Sequence, residues 1–334
     1  MTEPGTSKRQ RLLVALGLVV SVIFIGLALH KIELRDVWQE LGKVSLAILS
    51  LSLVTKLIGF CFMSWRSQLL LKPLHAYPFG SVLKSIFIAF IGNNVLPARM
   101  GELLRIHYLA RKGEVAHSSC LAVLVLERLM DMCCLLLIFA CTLPLLTIEL
   151  TSWHSIALFA AAVATMVVTM LLISRFPERF IALCRWVTRL FGERLSELVT
   201  TRAERFAQGM GALSSIWSVL GIILMSLGYW TMTLMSLQIW VWAFGLSLPW
   251  YAPLVMTTFI AFGTMLPSSP GYVGTYHYFV ITALGLFAVE PSRAASVALI
   301  GHAVSIIPFT LLGAPFVMTD ILAARREREG AASS

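Results

Sequence analysis

Residues 87–101 read FIAFIGNNVLPARMG, and residues 259–271 read FIAFGTMLPSSPG. Both begin with Phe-Ile-Ala-Phe, pass a glycine and reach Leu-Pro-x-x-x-Gly, and a two-residue gap aligns them. Each is an apolar helix stopped by proline, which has no N–H to give to a helical ladder and pushes the preceding turn out of helical geometry. The flanks extend the same pattern. Residues 79–112 begin apolar and then meet Asn93, Asn94, Pro97, Arg99, Gly101 and Glu102, while 251–288 is apolar but interrupted by Gly263, Pro267, Pro270, Gly271 and Gly274. Broken helices at membrane depth are tolerated only where they pack inside protein or line a cavity. Two interrupted segments at corresponding places in two halves of a chain mark the repeats of carrier proteins.

Composition places these segments in a membrane. Of 334 residues, 58% are hydrophobic and 13% charged, and the mean hydropathy is +0.84. A soluble domain carries roughly 25% charged residues, so an ordinary soluble enzyme and a disordered chain are both excluded. The formal charge of +9 is read as basic cytoplasmic loops, and nucleic acid is not an expected partner. Six cysteines occur without a Cys-x-x-Cys pair, so neither a disulfide framework nor a zinc site is expected.

Apolar runs at 12–29, 45–65, 119–143, 156–174, 217–245 and 294–319 are each long enough to cross ~30 Å of hydrocarbon. The run at 12–29 lacks a small-x-small cleavage site and is taken as a retained span. The fold expected is an all-α polytopic membrane protein, with about six full spans plus two re-entrant helical hairpins that form an inverted repeat. It would make one membrane domain over residues 1–324 with a short tail at 325–334.

Charge orients it. The N-terminus carries Lys8, Arg9 and Arg11; the 66–118 region carries Arg66, Lys72, Lys84, Arg99, Arg105, Arg111 and Lys112; 175–216 holds seven arginines; and the tail has Arg325, Arg326 and Arg328. The stretches 144–155 and 246–292 contain no Lys or Arg. Both termini are therefore expected on the cytoplasmic side of the inner membrane. Only the loop 30–44, with three basic and three acidic residues, departs from the rule. Two full spans over 251–267 and 272–288, giving eight in all, satisfy the charges equally well. The 175–216 stretch has the pattern of amphipathic helices lying on the cytoplasmic surface.

Ionisable groups inside a membrane are costly and rank first as candidate sites. Glu127, Arg128 and Asp131 lie together in LVLERLMDM. Arg128 and Asp131 are spaced to pair, and Glu127 shares a face with Asp131. They either pin helices together or face a substrate cavity. A second group is Asn93, Asn94, Arg99, Glu102 and Arg105, where a helix beginning near Gly101 would turn its free amides toward the break and two arginines would add forked donors. A lipid phosphate suits such a site; contact with headgroups at the membrane rim is the alternative. The third is PSSPGYVGTYHYF, residues 267–279, where Ser268, Ser269, Tyr276 and His277 offer donors beside a backbone that Gly271 lets a ligand approach. Lys56, His277 and His302 are candidates for proton coupling. Lys56 would otherwise snorkel or pair with an acid such as Glu127 or Asp131, and the histidines would otherwise be packing residues. No catalytic motif, metal cluster or cofactor-binding pattern is present, so no catalytic residue, metal or cofactor is expected.

Taken together, NNVLPARMGELLR, LAVLVLERLMDM and LPSSPGYVGTYHYF resemble the flippase-like family related to the transmembrane domain of lysylphosphatidylglycerol synthase, over roughly residues 10–320. The resemblance implies an integral membrane protein associated with lipid translocation. Better-known members flip aminoacylated phosphatidylglycerol, and others are linked to glycolipid, hopanoid or polyprenyl-linked sugar pathways. The first family motif falls on Asn94, Pro97, Gly101, Glu102 and Arg105, the second on Glu127, Arg128 and Asp131, and the third on Pro270, Gly271 and Gly274. Many members have a glutamate where this chain has His277, which removes any acidic role there. The sequence ends at Ser334 without the soluble domain that performs aminoacyl transfer in the bifunctional synthases, so synthase activity is not expected.

The function expected is that of a lipid flippase or carrier for an anionic or sugar-linked lipid with a phosphate-containing headgroup. The headgroup would meet Arg128 and Arg99, with Glu127 and Asp131 tuning Arg128 or holding a cationic moiety. A glycosyltransferase or lipid-modifying partner suits that role. The alternatives are an enzyme, or a membrane subunit of one, acting on a lipid-linked substrate, and a small-solute transporter.

Overall fold

The computed structural model describes residues 44–96, 99–142, 153–265 and 269–332, with isolated positions before residue 44. The expected first span at 12–29 falls almost wholly outside the described residues, as do Pro97, Pro267, Ser268 and most of the loop 144–155. Among the described residues all regular structure is helical.

The chain runs through α1 (Leu46–Leu71), α2 (Phe79–Val95), α3 (Gly101–Gly113), α4 (His117–Thr142) and α5 (Trp153–Arg175). It continues with α6 (Pro177–Arg189), α7 (Glu193–Gly209), α8 (Ile216–Ala243), α9 (Ala252–Met265), α10 (Thr275–Gly285) and α11 (Pro291–Ala332). Three of these, α1, α8 and the Pro291–Thr319 part of α11, have the length and hydropathy to cross a membrane, and they fall on the runs expected at 45–65, 217–245 and 294–319. Side chains such as Trp217, Leu220 and Leu224 of α8 are exposed, as lipid-facing positions are. The chain is a helical membrane protein with several spans. The two broken segments are each helix–break–helix. Helix α9 has 14 residues and α10 has 11, fewer than the about 20 a crossing needs.

One boundary differs from the sequence reading. The second run was expected to stop at residue 65, with Arg66 beginning a cytoplasmic region. Helix α1 instead continues to Leu71 and holds Arg66 completely buried. The apolar Leu69, Leu70 and Leu71 carry the helix on, and the charge is accommodated by a partner 65 residues away, Asp131. A charge read as a loop marker is an interior group.

The fold separates into two compact units. One comprises residues up to 57, 86–104 and 232–334; the other comprises 58–85 and 105–231. In the first, α9 packs on α10 and α10 on α11. Helix α8 ends there in a Schellman arrangement: Gly245 has φ +58°, its N–H bonds Trp242 O, and Leu246 N–H bonds Val241 O. The Arg293 guanidinium then donates to Phe244 O at 2.6 Å and Gly245 O at 3.0 Å, placing a cation on the negative end of the helix.

In the second unit α4 packs on α7 and α6 on α7. Ser119 Oγ donates to Arg205 O at 2.7 Å, tying α4 to α7. The stretch 175–216 resolves into α6, α7 and a 3-10 turn at Gly211–Ser214. Pro177 starts α6, where a missing N–H costs nothing. None of its residues is buried. Leu183, Trp186 and the following Leu190 and Phe191 stand exposed, alternating with Arg179, Arg185 and Arg189.

Candidate functional site

Two polar clusters occupy the two units, and they differ in charge balance. The second unit holds a paired network. Arg105, one turn into α3, makes a forked contact with Glu127 of α4: Nη1 to Oε2 at 2.6 Å and Nη2 to Oε1 at 2.8 Å. Its Nη2 also donates to Ser67 Oγ at 2.8 Å and its Nε to Ser85 Oγ at 3.3 Å. The Ser67 hydroxyl donates to Glu127 in turn. Arg66 sends Nη1 to Asp131 Oδ1 at 2.6 Å and to Ser226 Oγ at 3.4 Å, with the Tyr229 ring 6.0 Å from its guanidinium carbon. Arg128 reaches Asp131 Oδ2 at 3.3 Å, the i,i+3 pair that the spacing suggested, and its side chain is 40% exposed. Bidentate Arg–carboxylate geometry is what buried guanidinium groups require, because each N–H left without an acceptor is a desolvation cost. Each of the four carboxylate oxygens of Glu127 and Asp131 faces an arginine. The network carries three cations and two anions, and Arg128 is the member that reaches the surface.

The first unit gathers the two sequence repeats at one place. The Arg99 guanidinium donates to Thr264 O at 2.5 Å and lies 5.7 Å from the centre of the Tyr272 ring. A Cβ on Gly271 would stand 3.6 Å from Asn94 O. The break after α2 therefore lies against the break after α9. Both contain a non-glycine residue at positive φ, Arg99 at 55° and Tyr272 at 59°. Such backbone is strained by about 1–3 kcal/mol per residue and concentrates at functional sites.

Around this junction stand Lys56, Tyr276, His277 and His302. Lys56 is the eleventh residue of α1, ~15 Å from its start by helical rise, which is half the hydrocarbon thickness. Its ammonium donates to Ser305 O at 3.0 Å and sits 5.8 Å and 5.2 Å from the rings of Phe90 and Phe309. Pro308 in the next turn has no N–H and loosens the α11 ladder at this point. The His302 ring bonds Gly271 O through Nε2 at 2.7 Å. Tyr276 stacks on His302 with centroids 4.5 Å apart, and His277 meets it edge-on at 4.7 Å. The Gly274 N–H donates to His277 Nδ1 at 3.3 Å, capping α10. Asn94 Nδ2 is 3.5 Å from Thr310 Oγ1, and Ser269 Oγ points to Val273 O at 3.3 Å. Asn93 Oδ1 and Glu102 Oε2 are buried acceptors with no donor among the described residues.

The sequence reading grouped Arg105 with Asn93, Asn94, Arg99 and Glu102. The structure divides them: Arg105 belongs to the Glu127 network, and the other four remain at the break. Three residues along a helix separate Glu102 from Arg105, turning the side chain through about 300° and advancing it ~4.5 Å, enough to hand Arg105 to a different neighbour. Lys56, which the sequence allowed to pair with Glu127 or Asp131, bonds a carbonyl instead; those acids hold Arg105 and Arg66. The sequence reading placed none of Arg66, Ser67, Ser85, Tyr229 and Ser305 in a site. Only Arg66 left a signal, as a lone charge followed by three leucine-rich positions that continue its helix.

The family described as Lysylphosphatidylglycerol synthase TM region matches residues 14–313, and the chain belongs to it. Among curated relatives, the chain is 24% identical to "Glycosyltransferase AglD" of Haloferax volcanii, over 88% of this chain and 52% of that protein. It is 21% identical to a "UPF0104 membrane protein" of Methanocaldococcus jannaschii, over 89% of this chain and 91% of that one. The chain spans about half the length of the first relative. No solved structure matches it.

Proposed function

We propose that the chain is a lipid flippase or carrier that moves an anionic or sugar-linked membrane lipid between the leaflets of the cytoplasmic membrane. The observation that carries this reading is the junction of two proline-broken helices with strained backbone, beside a lysine half-way along an apolar helix. Irregular backbone at membrane depth is stable only against protein or a water-filled cavity. Carriers of the inverted-repeat kind bind their substrates where such breaks meet. The headgroup would cross along this polar junction while its tails stay in lipid, with Arg99 as its cationic contact there, and the half-exposed Arg128 is the candidate contact within the other unit. Glu127 and Asp131, already paired, would hold Arg66, Arg105 and Arg128 in place.

A second reading has one observation in its favour, the likeness to half of a protein named as a glycosyltransferase. On that reading the chain is a membrane subunit in a lipid-linked glycan pathway, and a separate enzyme does the chemistry.

The deciding experiment is leaflet exchange in liposomes that carry the purified chain and traces of labelled phosphatidylglycerol, phosphatidylethanolamine and a lipid-linked sugar. Exchange of one class at least tenfold faster than in empty liposomes, lost in Arg128→Ala while the protein stays folded, is the expected result. Rates equal to empty liposomes for every class would overturn the carrier reading and move the subunit reading ahead.

A further inference from the structure

This inference deepens the carrier reading and rests on it: we infer that the carrier is coupled to protons, with His277 and His302 at the second helical break as the coupling site. The two rings meet edge-on with centres 4.7 Å apart, and Tyr276 stacks on His302 at 4.5 Å. Tyr276 bonds the side chain of Ser305, the residue whose carbonyl takes the Lys56 ammonium at 3.0 Å. Eleven residues separate His302 from the start of α11 at Pro291, ~16 Å by helical rise, or about half the hydrocarbon thickness. The elements around the cluster bring no counter-charge to it. Helix α9 has no ionisable side chain, and α10 has Tyr276, His277 and Tyr278. Lys84 of α2 lies in the other unit. Arg99 lies over Tyr272, Glu102 opens α3 beyond the first break, and Arg293 caps α8. Among the described residues no carboxylate bonds His277, His302 or Lys56. The buried arginines of the other unit have carboxylates, and arginine does not give up its proton. Lysine and histidine do, and imidazole is the side chain that ordinarily changes charge in the physiological range.

The hydrogen bonds fix where a proton goes and what it displaces. Gly271 O only accepts, so His302 gives it the Nε2 hydrogen and keeps a bare Nδ1 in the neutral ring. The Gly274 N–H only donates, so His277 has its lone pair on Nδ1 and its hydrogen on Nε2. A proton from water binds one of these bare nitrogens. At His277 Nδ1 it takes the lone pair that caps α10, and the Gly274 N–H loses its acceptor. Gly274 is the corner itself, with φ 94°, so protonation opens the bond that ties the start of α10 to the break. Two imidazolium rings 4.7 Å apart repel, and Lys56 is a third cation in the cluster, so the pair holds one proton at a time. Release of that proton to the opposite face restores the neutral ring and the Gly274 bond. One proton enters and one leaves in each cycle, with a helix end uncapped in between. Carriers built from inverted repeats place their coupling-ion sites at such discontinuous helices.

The test uses the full chain in liposomes with the three labelled lipids named above, the membrane voltage clamped at zero and the pH one unit lower inside. One pH unit is worth a tenfold ratio, so one proton per lipid should move the transported probe up to tenfold toward one leaflet. The lumen pH, read by a trapped dye, should change in step. His277→Gln keeps an acceptor for the Gly274 N–H and cannot take the proton; it should slow exchange at least tenfold. His277→Ala, uncapped at every pH, should exchange lipid but hold an even leaflet ratio under the same gradient. A second arm needs no transport. Hydrogen exchange of the Gly274 amide in the purified chain, corrected for the intrinsic rate, should be at least tenfold faster at pH 5 than at pH 8, and equal at both in His277→Gln. Wild-type lipid exchange that ignores the gradient, or a His277→Gln chain that still follows it, would overturn the coupling and leave the carrier reading standing. An amide rate equal at pH 5 and pH 8 in the wild-type chain overturns the proton site whether or not lipid moves. No exchange of any probe, with the Gly274 amide still dependent on pH, ends the carrier reading alone.

Discussion

Arg105 and Glu127 are the most fully matched pair in the described protein: two short N–H to oxygen contacts, with Ser67 and Ser85 completing the guanidinium. Removing one partner strands the other in a buried site, at a cost of about 3–5 kcal/mol, whereas replacing both by apolar groups of similar volume is close to neutral. Arg105→Ala and Glu127→Ala should therefore each sharply lower the fraction of protein that stays monodisperse on heating in detergent. Arg105→Met combined with Glu127→Leu should return most of it. If the double variant is as unstable as either single one, the network does more than neutralise itself.

The helical breaks depend on what lies at their corners. A Cβ on Gly92 of α2 would come within 2.5 Å of Gly101 Cα at the start of α3, so the two helices can close on one another only through bare backbone. Gly92→Val should open the corner and destabilise the fold by more than about 2 kcal/mol, as overpacking does in a core. The same substitution at Gly80, which has nothing within 4 Å of a Cβ, should cost no more than the lowered helix propensity. Thermal unfolding of the two variants side by side decides it. The start of α11 offers a pH test. Partial burial raises the Glu290 carboxyl, but the Ser292 and Arg293 N–H groups, each 2.9 Å from it, outweigh that and hold it below the usual carboxylate range. A depressed folded-state value gives stability that is complete above the unfolded carboxylate pKa of about 4.3 and is lost as pH falls through the folded value. Hydrogen exchange at the Ser292 and Arg293 amides should therefore be protected at pH 6 and lose protection below about pH 4. In Glu290→Gln the protection should be lower at pH 6 and flat across that range.

Among the described residues, the buried arginines of one unit, Arg66 and Arg105, meet carboxylates, whereas Lys56 of the other meets a carbonyl. That asymmetry predicts opposite responses to losing a cation. Arg66→Ala or Arg105→Ala should destabilise. Lys56→Met should stabilise by about 1–2 kcal/mol, the cost of a lysine deep in an apolar helix less the one carbonyl hydrogen bond it makes. Thermal midpoints measured without added lipid distinguish the cases; a lower midpoint for Lys56→Met would mean that its bond to Ser305 is chiefly structural. A gain in stability at the expense of transport is the usual mark of a functional residue.

Much of this was legible in the chain itself. Hydropathy and length marked α1, α8 and α11, because a spanning helix must satisfy its own backbone and therefore writes itself as one long apolar run. Proline and glycine at 97, 101, 270, 271 and 274 marked the breaks, since those residues act on the backbone wherever they stand. The i,i+3 contact between Arg128 and Asp131 followed from helical geometry. What tertiary structure alone decided was which distant partner each charge takes. Arg66 with Asp131, Arg105 with Glu127 and Lys56 with Ser305 are separated by 65, 22 and 249 residues, and no local periodicity records such pairings. Sequence sets where a charge sits along its own helix; whether it meets a carboxylate or a backbone carbonyl depends on packing between helices far apart in the chain.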